Sequence, residues 1–244
     1  MSEPHLSVRG LHKWYGGVHA LRGLDLDIPQ GQVIGLIGDN GAGKSTFIKI
    51  LSGVHKQSEG QIFFEGKEAH IGRPRDAMNL GIETIYQYTA MVPEMSIARN
   101  VFIGREKRKW GVRGFGLLDQ AAMAEEAMAA IADVGLHLRS ADAPVKDLSG
   151  GQRQGVAIAR AMHFRSRMLI LDEPTNHLSV KETNKVLEYV RQMRVQGITV
   201  IFISHNLHHV HEVSDRIIAF SRGSKVADLL VEETTVPHMI DLIT

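Results

Sequence analysis

The stretch Gly38-Asp39-Asn40-Gly41-Ala42-Gly43-Lys44-Ser45, followed by Thr46, fits the pattern G-x-x-x-x-G-K-[ST]. Its glycines let backbone N–H groups face phosphate oxygens, and a helix starting there adds partial positive charge. Lys44 is placed to reach the β- and γ-phosphates of a nucleotide, and Ser45 to hold Mg²⁺. Further on, the apolar run Met168 to Leu171 ends in Asp172 and Glu173. Asp172 suits the Mg²⁺ shell, and Glu173 is placed to polarise water as a general base. Two solvated carboxylates are the plainer alternative. Acids at the carboxyl edge of a buried strand, however, lie where open α/β sheets bind ligands. His205 follows the next apolar run, ITVIFIS, and so reaches the same edge, as a donor near the γ-phosphate.

Leu148-Ser149-Gly150-Gly151-Gln152 is a second turn that opens a helix. Ser149 is a natural N-cap. Two glycines and a cap exceed what a helix start requires, and they leave N–H groups and a hydroxyl suited to an anion. His205, His208, His209 and His211 also crowd together, with His205 and His209 at i,i+4 spacing. No acid stands in an H-E-x-x-H frame with them, so a solvated helix face is favoured over zinc.

These residues need an alternating α/β scaffold. Leu24, Leu26 and Ile28 alternate with Asp25 and Asp27, a half-buried strand. Val33 to Ile37 reads as a buried parallel strand, and 43–52 as the helix after the phosphate loop. GQIFFEGKE, 60–68, reads as one strand between glycine turns. Residues 119–136 are rich in helix formers, with Met123, Ala127, Met128 and Ile131 on one face. In the helix after Ser149, Val156, Ala159, Met162 and His163 share a face. The basic, glycine-broken stretch 105–116 reads as an exposed loop. Met168–Leu171, the helical 181–194 closed by Gly197, and Ile198–Ile203 make a β-α-β unit.

A chain of 244 residues is long enough to bury a full core. Its net charge of +1 gives no reason to expect nucleic acid as the main partner. The sequence has no cysteine, which excludes disulfides and thiolate metal sites and fits a reducing compartment. The polar start MSEPHLSVRG does not read as a signal peptide, and no apolar run approaches the ~18 residues of a membrane span.

GDNGAGKS, LSGGQ, MLILDE and His205, in that order, resemble the nucleotide-binding subunit of ABC transporters, over essentially the whole chain. LSGGQ is that family's signature. The resemblance implies an α/β fold: a P-loop NTPase (RecA-like) core, an N-terminal antiparallel β-subdomain and an inserted helical subdomain. It implies one ABC ATPase domain over 1–244, with core 1–86 and 164–226, helical subdomain 87–163 and a short C-terminal tail 227–244. It implies that Tyr15, in KWYGGVHAL, stacks on adenine, and that Gln87, in IETIYQ, touches Mg²⁺ or water and senses the transmembrane partner. NHLSV, 176–180, matches the loop linking two subunits, with Ser179 where many relatives have Asp.

IYQYTAMVPEMSIARNVFIGRE and DEPTNHLSVKET look like the carbohydrate-import branch. One copy of each motif is similar to its single-domain members serving fructose, ribose or similar sugars. The implied cofactors are ATP and Mg²⁺. The implied assembly is a homodimer through two ATP, each held by the phosphate loop of one subunit and by Ser149, Gly150, Gly151 and Gln152 of the other. The implied partners are transmembrane permease subunits and, indirectly, a periplasmic or extracellular sugar-binding protein. The implied location is peripheral, on the cytoplasmic face of the inner membrane. An ABC ATPase of a non-sugar transporter, or a soluble non-transport one, stays open as an alternative.

Overall fold

The computed structural model describes residues 3–86, 91–110 and 116–244. The chain begins β1 (Leu6–Tyr15), β2 (Val18–Ile28), β3 (Val33–Gly38), α1 (Lys44–Leu51), β4 (Glu59–Phe64), β5 (Lys67–Glu68), α2 (Pro74–Leu80) and β6 (Ile82–Ile85). Helices α3 (Ile97–Val101), α4 (Gln120–Asp133) and α5 (Gly150–His163) follow. The last third runs β7 (Met168–Asp172), α6 (Val180–Val195), β8 (Thr199–Ile203), α7 (Leu207–Val213), β9 (Arg216–Ser221), β10 (Ser224–Leu230) and α8 (Val236–Ile243). The chain divides into two compact units, Met1–Tyr86 with Ser166–Pro174 and Val190–Thr244, and Gln87–Arg165 with Thr175–Tyr189.

The first unit holds two sheets. One has the order β2-β1-β4-β5 with antiparallel pairing. In β2, Leu24, Leu26 and Ile28 are buried while Asp25 points to solvent, so the alternation in sequence becomes the two faces of the sheet. The stretch 60–68 is a hairpin rather than one strand. Glu65 (φ 49°) and Gly66 (φ 72°) reverse the chain so that Phe64 pairs with Lys67.

The other sheet has the order β10-β9-β3-β8-β7-β6. All of its pairings are parallel except that of the edge strand β10 with β9. Every residue of β3 and of β8 is buried, as expected of parallel strands covered on both faces. Residues 227–244 carry the end of β10 and all of α8, whose Met239 is fully buried.

The second unit is helical. Asp119 caps α4 by accepting a hydrogen bond from Ala122 N at 3.2 Å. The helix buries Met123, Ala127, Ala130 and Ile131; Met128 is only half-buried, because Ala130 completes the stripe instead. In α5 the buried residues include Val156, Ile158, Ala159 and Ala161. Met162 and His163 are half-buried rather than on that face, and His163 turns its ring edge to Phe102. Residues 175–189 cluster with the inserted segment because α5 offers them glycines. A Cβ at Gly150 would lie 2.7 Å from Leu178 Cδ2, and one at Gly155 would lie 3.5 Å from the Tyr189 hydroxyl. Part of the expected loop 105–116, residues 111–115, lies outside the described residues. Residues 106–110 are exposed, the large apolar side chain of Trp110 included.

Candidate functional site

Sheet order brings three strand ends together in the first unit. Strand β8 lies between β3 and β7, all parallel, so the residues after Gly38, Asp172 and Ile203 emerge at one edge. The phosphate loop leaves β3 through Gly38 (φ 150°), Gly41 (φ 82°) and Gly43 (φ 104°), backbone conformations that side chains other than glycine's rarely allow. A Cβ on Gly38 would also collide with the Phe220 carbonyl oxygen. Within the loop, Asn40 N donates to Asp39 Oδ1 at 2.7 Å and Ala42 N to the Asp39 carbonyl at 3.1 Å. Gly43 is the N-cap of α1, with no side-chain cap, so that helix end presents backbone donors followed directly by Lys44, Ser45 and Thr46.

Lys44 folds back over the loop, its Nζ donating to the carbonyls of Gly38 at 2.5 Å and Asp39 at 3.1 Å. Burial lowers its pKa, opposed by the charges of Glu173, Asp39 and Asp172. Burial likewise raises the pKa of Asp172 against the pull of Lys44, Lys49 and His205. Glu173 is almost fully buried, and burial raises its pKa as well, opposed by the backbone hydrogen bond from His205 and by the His205 ring.

Glu173 occupies the left-handed region (φ 53°), a conformation that costs a non-glycine residue about 1–3 kcal/mol. The surroundings fix it there. Its N–H donates to the Ile203 carbonyl at 2.9 Å, and its Oε2 accepts from His205 N at 3.2 Å. The His205 ring, largely exposed, brings Nε2 to 3.3 Å from Glu173 Oε1. This is the geometry of a base with an orienting partner. His205 precedes α7, whose N-cap is Asn206, so His205 and His209 do not share a helix face; the i,i+4 spacing does not bring them together as ligands.

Tyr15 ends β1 and is exposed. The His55 ring meets it edge-on at 5.4 Å, and Lys13 Nζ lies 5.1 Å from its centroid. Gln87 lies outside the described residues. Ser45 and Asp172 present only oxygen donors, the hard ligands that Mg²⁺ prefers.

The second turn lies in the second unit, and the structure bears out Ser149 as N-cap of α5. Ser149 Oγ accepts from Gln152 N at 3.3 Å, and Gln152 Oε1 accepts from Ser149 N at 2.9 Å, a capping box. Neither glycine is needed for its torsion, since Gly150 and Gly151 have no positive φ. They are needed for close approach. Leu178 packs on Gly150, and a Cβ at Gly151 would lie 2.7 Å from Glu182 Cγ and 2.8 Å from Glu182 Cβ. Glu182 is the residue that reading the sequence missed, and it bonds directly to this turn. One signal for it was visible: Ser179-Val-Lys-Glu182 is itself a capping-box pattern.

A parallel sheet that delivers a glycine phosphate loop, an Asp-Glu pair and a histidine to one edge defines a P-loop nucleotide hydrolase core. The chain belongs to the ABC transporter family, whose pattern it matches over residues 21–176. It is 45% identical to the fructose import ATP-binding protein FrcA of Rhizobium meliloti, over 99% of this chain and 94% of that one. It is 43% identical to the xylose/arabinose import ATP-binding protein XylG of Sulfolobus acidocaldarius, over 98% and 93% of the two chains. Among solved structures, it is similar to an ATP-binding cassette of an ABC transporter in its ADP conformation. That likeness has a TM-score of 0.81 and 25% identity, over 98% of this chain and 94% of the other.

Proposed function

We propose that this chain is the ATP-binding and ATP-hydrolysing subunit that energises import of a fructose- or ribose-like monosaccharide through a membrane permease. The observation that carries the hydrolytic part is the buried Glu173 carboxylate, held against His205 at the strand edge that also carries Lys44. The sugar-import part is supported by two full-length relatives whose names specify sugar import.

In this reading the loop from Gly38 to Thr46 cradles the triphosphate, Lys44 swings from the loop carbonyls to the β- and γ-phosphates, and Tyr15 stacks on adenine. Ser45 and Asp172, with Gln87, would hold Mg²⁺, which would supply charge neutralisation to the triphosphate. Glu173 accepts a proton from the attacking water. The His205 ring orients that carboxylate and donates toward the γ-phosphate.

The working unit is a homodimer with two ATP at its interface, each completed by Ser149, Gly150, Gly151 and Gln152 of the other subunit. ATP then contributes affinity only to the closed state, and hydrolysis removes the bridge. Opening and closing drive permease subunits through Gln87 and the helical unit, at the cytoplasmic face of the membrane. A sugar-binding protein delivers the substrate from outside. No helix among the described residues is long and apolar enough to cross a membrane.

The test is reconstitution with the permease and binding protein that co-purify with this chain. ATPase stimulation by one pentose or hexose supports the reading. Stimulation by no sugar, with ribosomes or DNA binding the free subunit instead, would remove it.

A further inference from the structure

The donors of the second turn are already engaged. Ser149 Oγ donates to Glu182 Oε1 at 2.7 Å, and Gly151 N donates to the same oxygen at 3.1 Å. The other carboxylate oxygen accepts from Ser179 N at 3.1 Å and Ser179 Oγ at 2.9 Å, closing the first turn of α6. One carboxylate thus ties the cap of α6 to the cap of α5. The contact is built sterically as well as electrically. Any side chain at Gly151 would strike the Glu182 stem, so the glycine is what lets the carboxylate descend onto the N–H. We infer that Glu182 is a resident anion of the Ser149–Gly151 turn, held by the donors that would take the γ-phosphate of a partner's ATP, so that closing the ATP dimer displaces it.

This inference rests on the two-ATP dimer proposed above. A serine hydroxyl has one proton to donate and a backbone amide one, so a carboxylate and a phosphate cannot both hold them. Four charge-assisted bonds keep the carboxylate ionised, its pKa drawn down to about 2, with the Ser149 hydroxyl bond the largest cause.

Release leaves no orphaned group. Oε2 keeps its bonds to Ser179, and Lys181 and Lys185 line the same cavity of about 220 Å³ for the freed oxygen to face. The exchange therefore trades one anion for another and favours the more highly charged one. A nucleotide without a γ-phosphate offers nothing at that position and leaves Glu182 in place. The carboxylate sets the ATP concentration at which the dimer closes, and it discriminates against closure on ADP.

The experiment compares full-length Glu173→Gln with Glu173→Gln/Glu182→Gln by sedimentation across an ATP-Mg²⁺ titration. The second variant is expected to dimerise at an ATP concentration lower by roughly tenfold, the scale of losing a charge-assisted competitor. With Glu173 intact, Glu182→Gln is expected to lower the KM for ATP without raising kcat. A purely structural Glu182 would not produce that split. Glu182→Asp keeps the charge and the α6 cap but withdraws from Ser149, and is expected to behave as Glu182→Gln does. An unchanged or higher ATP midpoint in either Glu182 variant overturns the inference while leaving the dimer intact. Failure of Glu173→Gln itself to dimerise at saturating ATP overturns the dimer, and the displaced carboxylate with it.

Discussion

The phosphate loop offers a pair of substitutions that separates backbone strain from close approach. Gly43 has φ 104°, and a Cβ there would lie 2.9 Å from the Ala20 carbonyl oxygen and 2.9 Å from Leu21 Cδ2. Gly41 has φ 82° with nothing within 4 Å of its would-be Cβ. Both alanines incur the torsional penalty of about 1–3 kcal/mol. Only Gly43→Ala adds overpacking, about 1–3 kcal/mol more, and against a backbone oxygen that cannot rotate away. For a chain of this size each kcal/mol lowers Tm by about 2–4 °C, so Gly43→Ala is expected to melt roughly 10 °C lower and Gly41→Ala about half that. Function should follow the same order. Gly43 caps α1 immediately before Lys44, so moving it misplaces the lysine and the amides together. Calorimetric melting of both variants, with titration of a fluorescent ATP analogue, measures stability and binding. Equal melting shifts for the two variants would refute the close-approach argument. A Gly43→Ala protein that melts and binds ATP as the parent does would refute the whole account of the loop.

Glu173→Gln should lower kcat by roughly 10²–10⁴-fold while ATP binding persists, the range for removing a general base, measured by phosphate release. The same variant tests the burial of the carboxylate. Because the folded pKa is raised, ionising Glu173 opposes folding; this opposition is absent below the ordinary carboxylate pKa and complete above the folded value. Glu173→Gln should therefore melt above the parent near neutral pH, and the margin should shrink toward about pH 4, where the parent carboxyl is also neutral. Ser149→Arg should block ATP-driven dimerisation and hydrolysis, yet leave the Kd for ATP of the isolated subunit within about twofold, since the cradle of Lys44 is untouched. Gly150→Ala should lower Tm through its contact with Leu178, with a Leu178→Ala partner restoring part of the loss, because the clash is with that side chain alone.

Much of this protein is legible along the chain because its signals are local. The phosphate loop is contiguous, so the order of its glycines and lysine announces it. The runs Val33–Ile37 and Thr199–Ile203 are apolar without alternation, which marks parallel strands buried on both faces. Ser149 was readable as a cap because capping involves residues three apart. The 60–68 hairpin was harder. Its turn uses Glu65 at positive φ, a conformation that the residue type does not advertise.

What only the tertiary structure decided are meetings between residues far apart in sequence. No local pattern states that β8 lies between β3 and β7, and that order is what sets His205 against Glu173. Nor does the sequence explain the two glycines after Ser149. Neither serves an unusual torsion; one admits Leu178, just before α6, and the other Glu182, in its first turn. A chain can write its torsions and its amphipathic faces into neighbouring residues, because those depend on sterics and periods a few residues long. Which carboxylate will find which hydroxyl depends on how the elements pack, and that is settled only when the chain has folded.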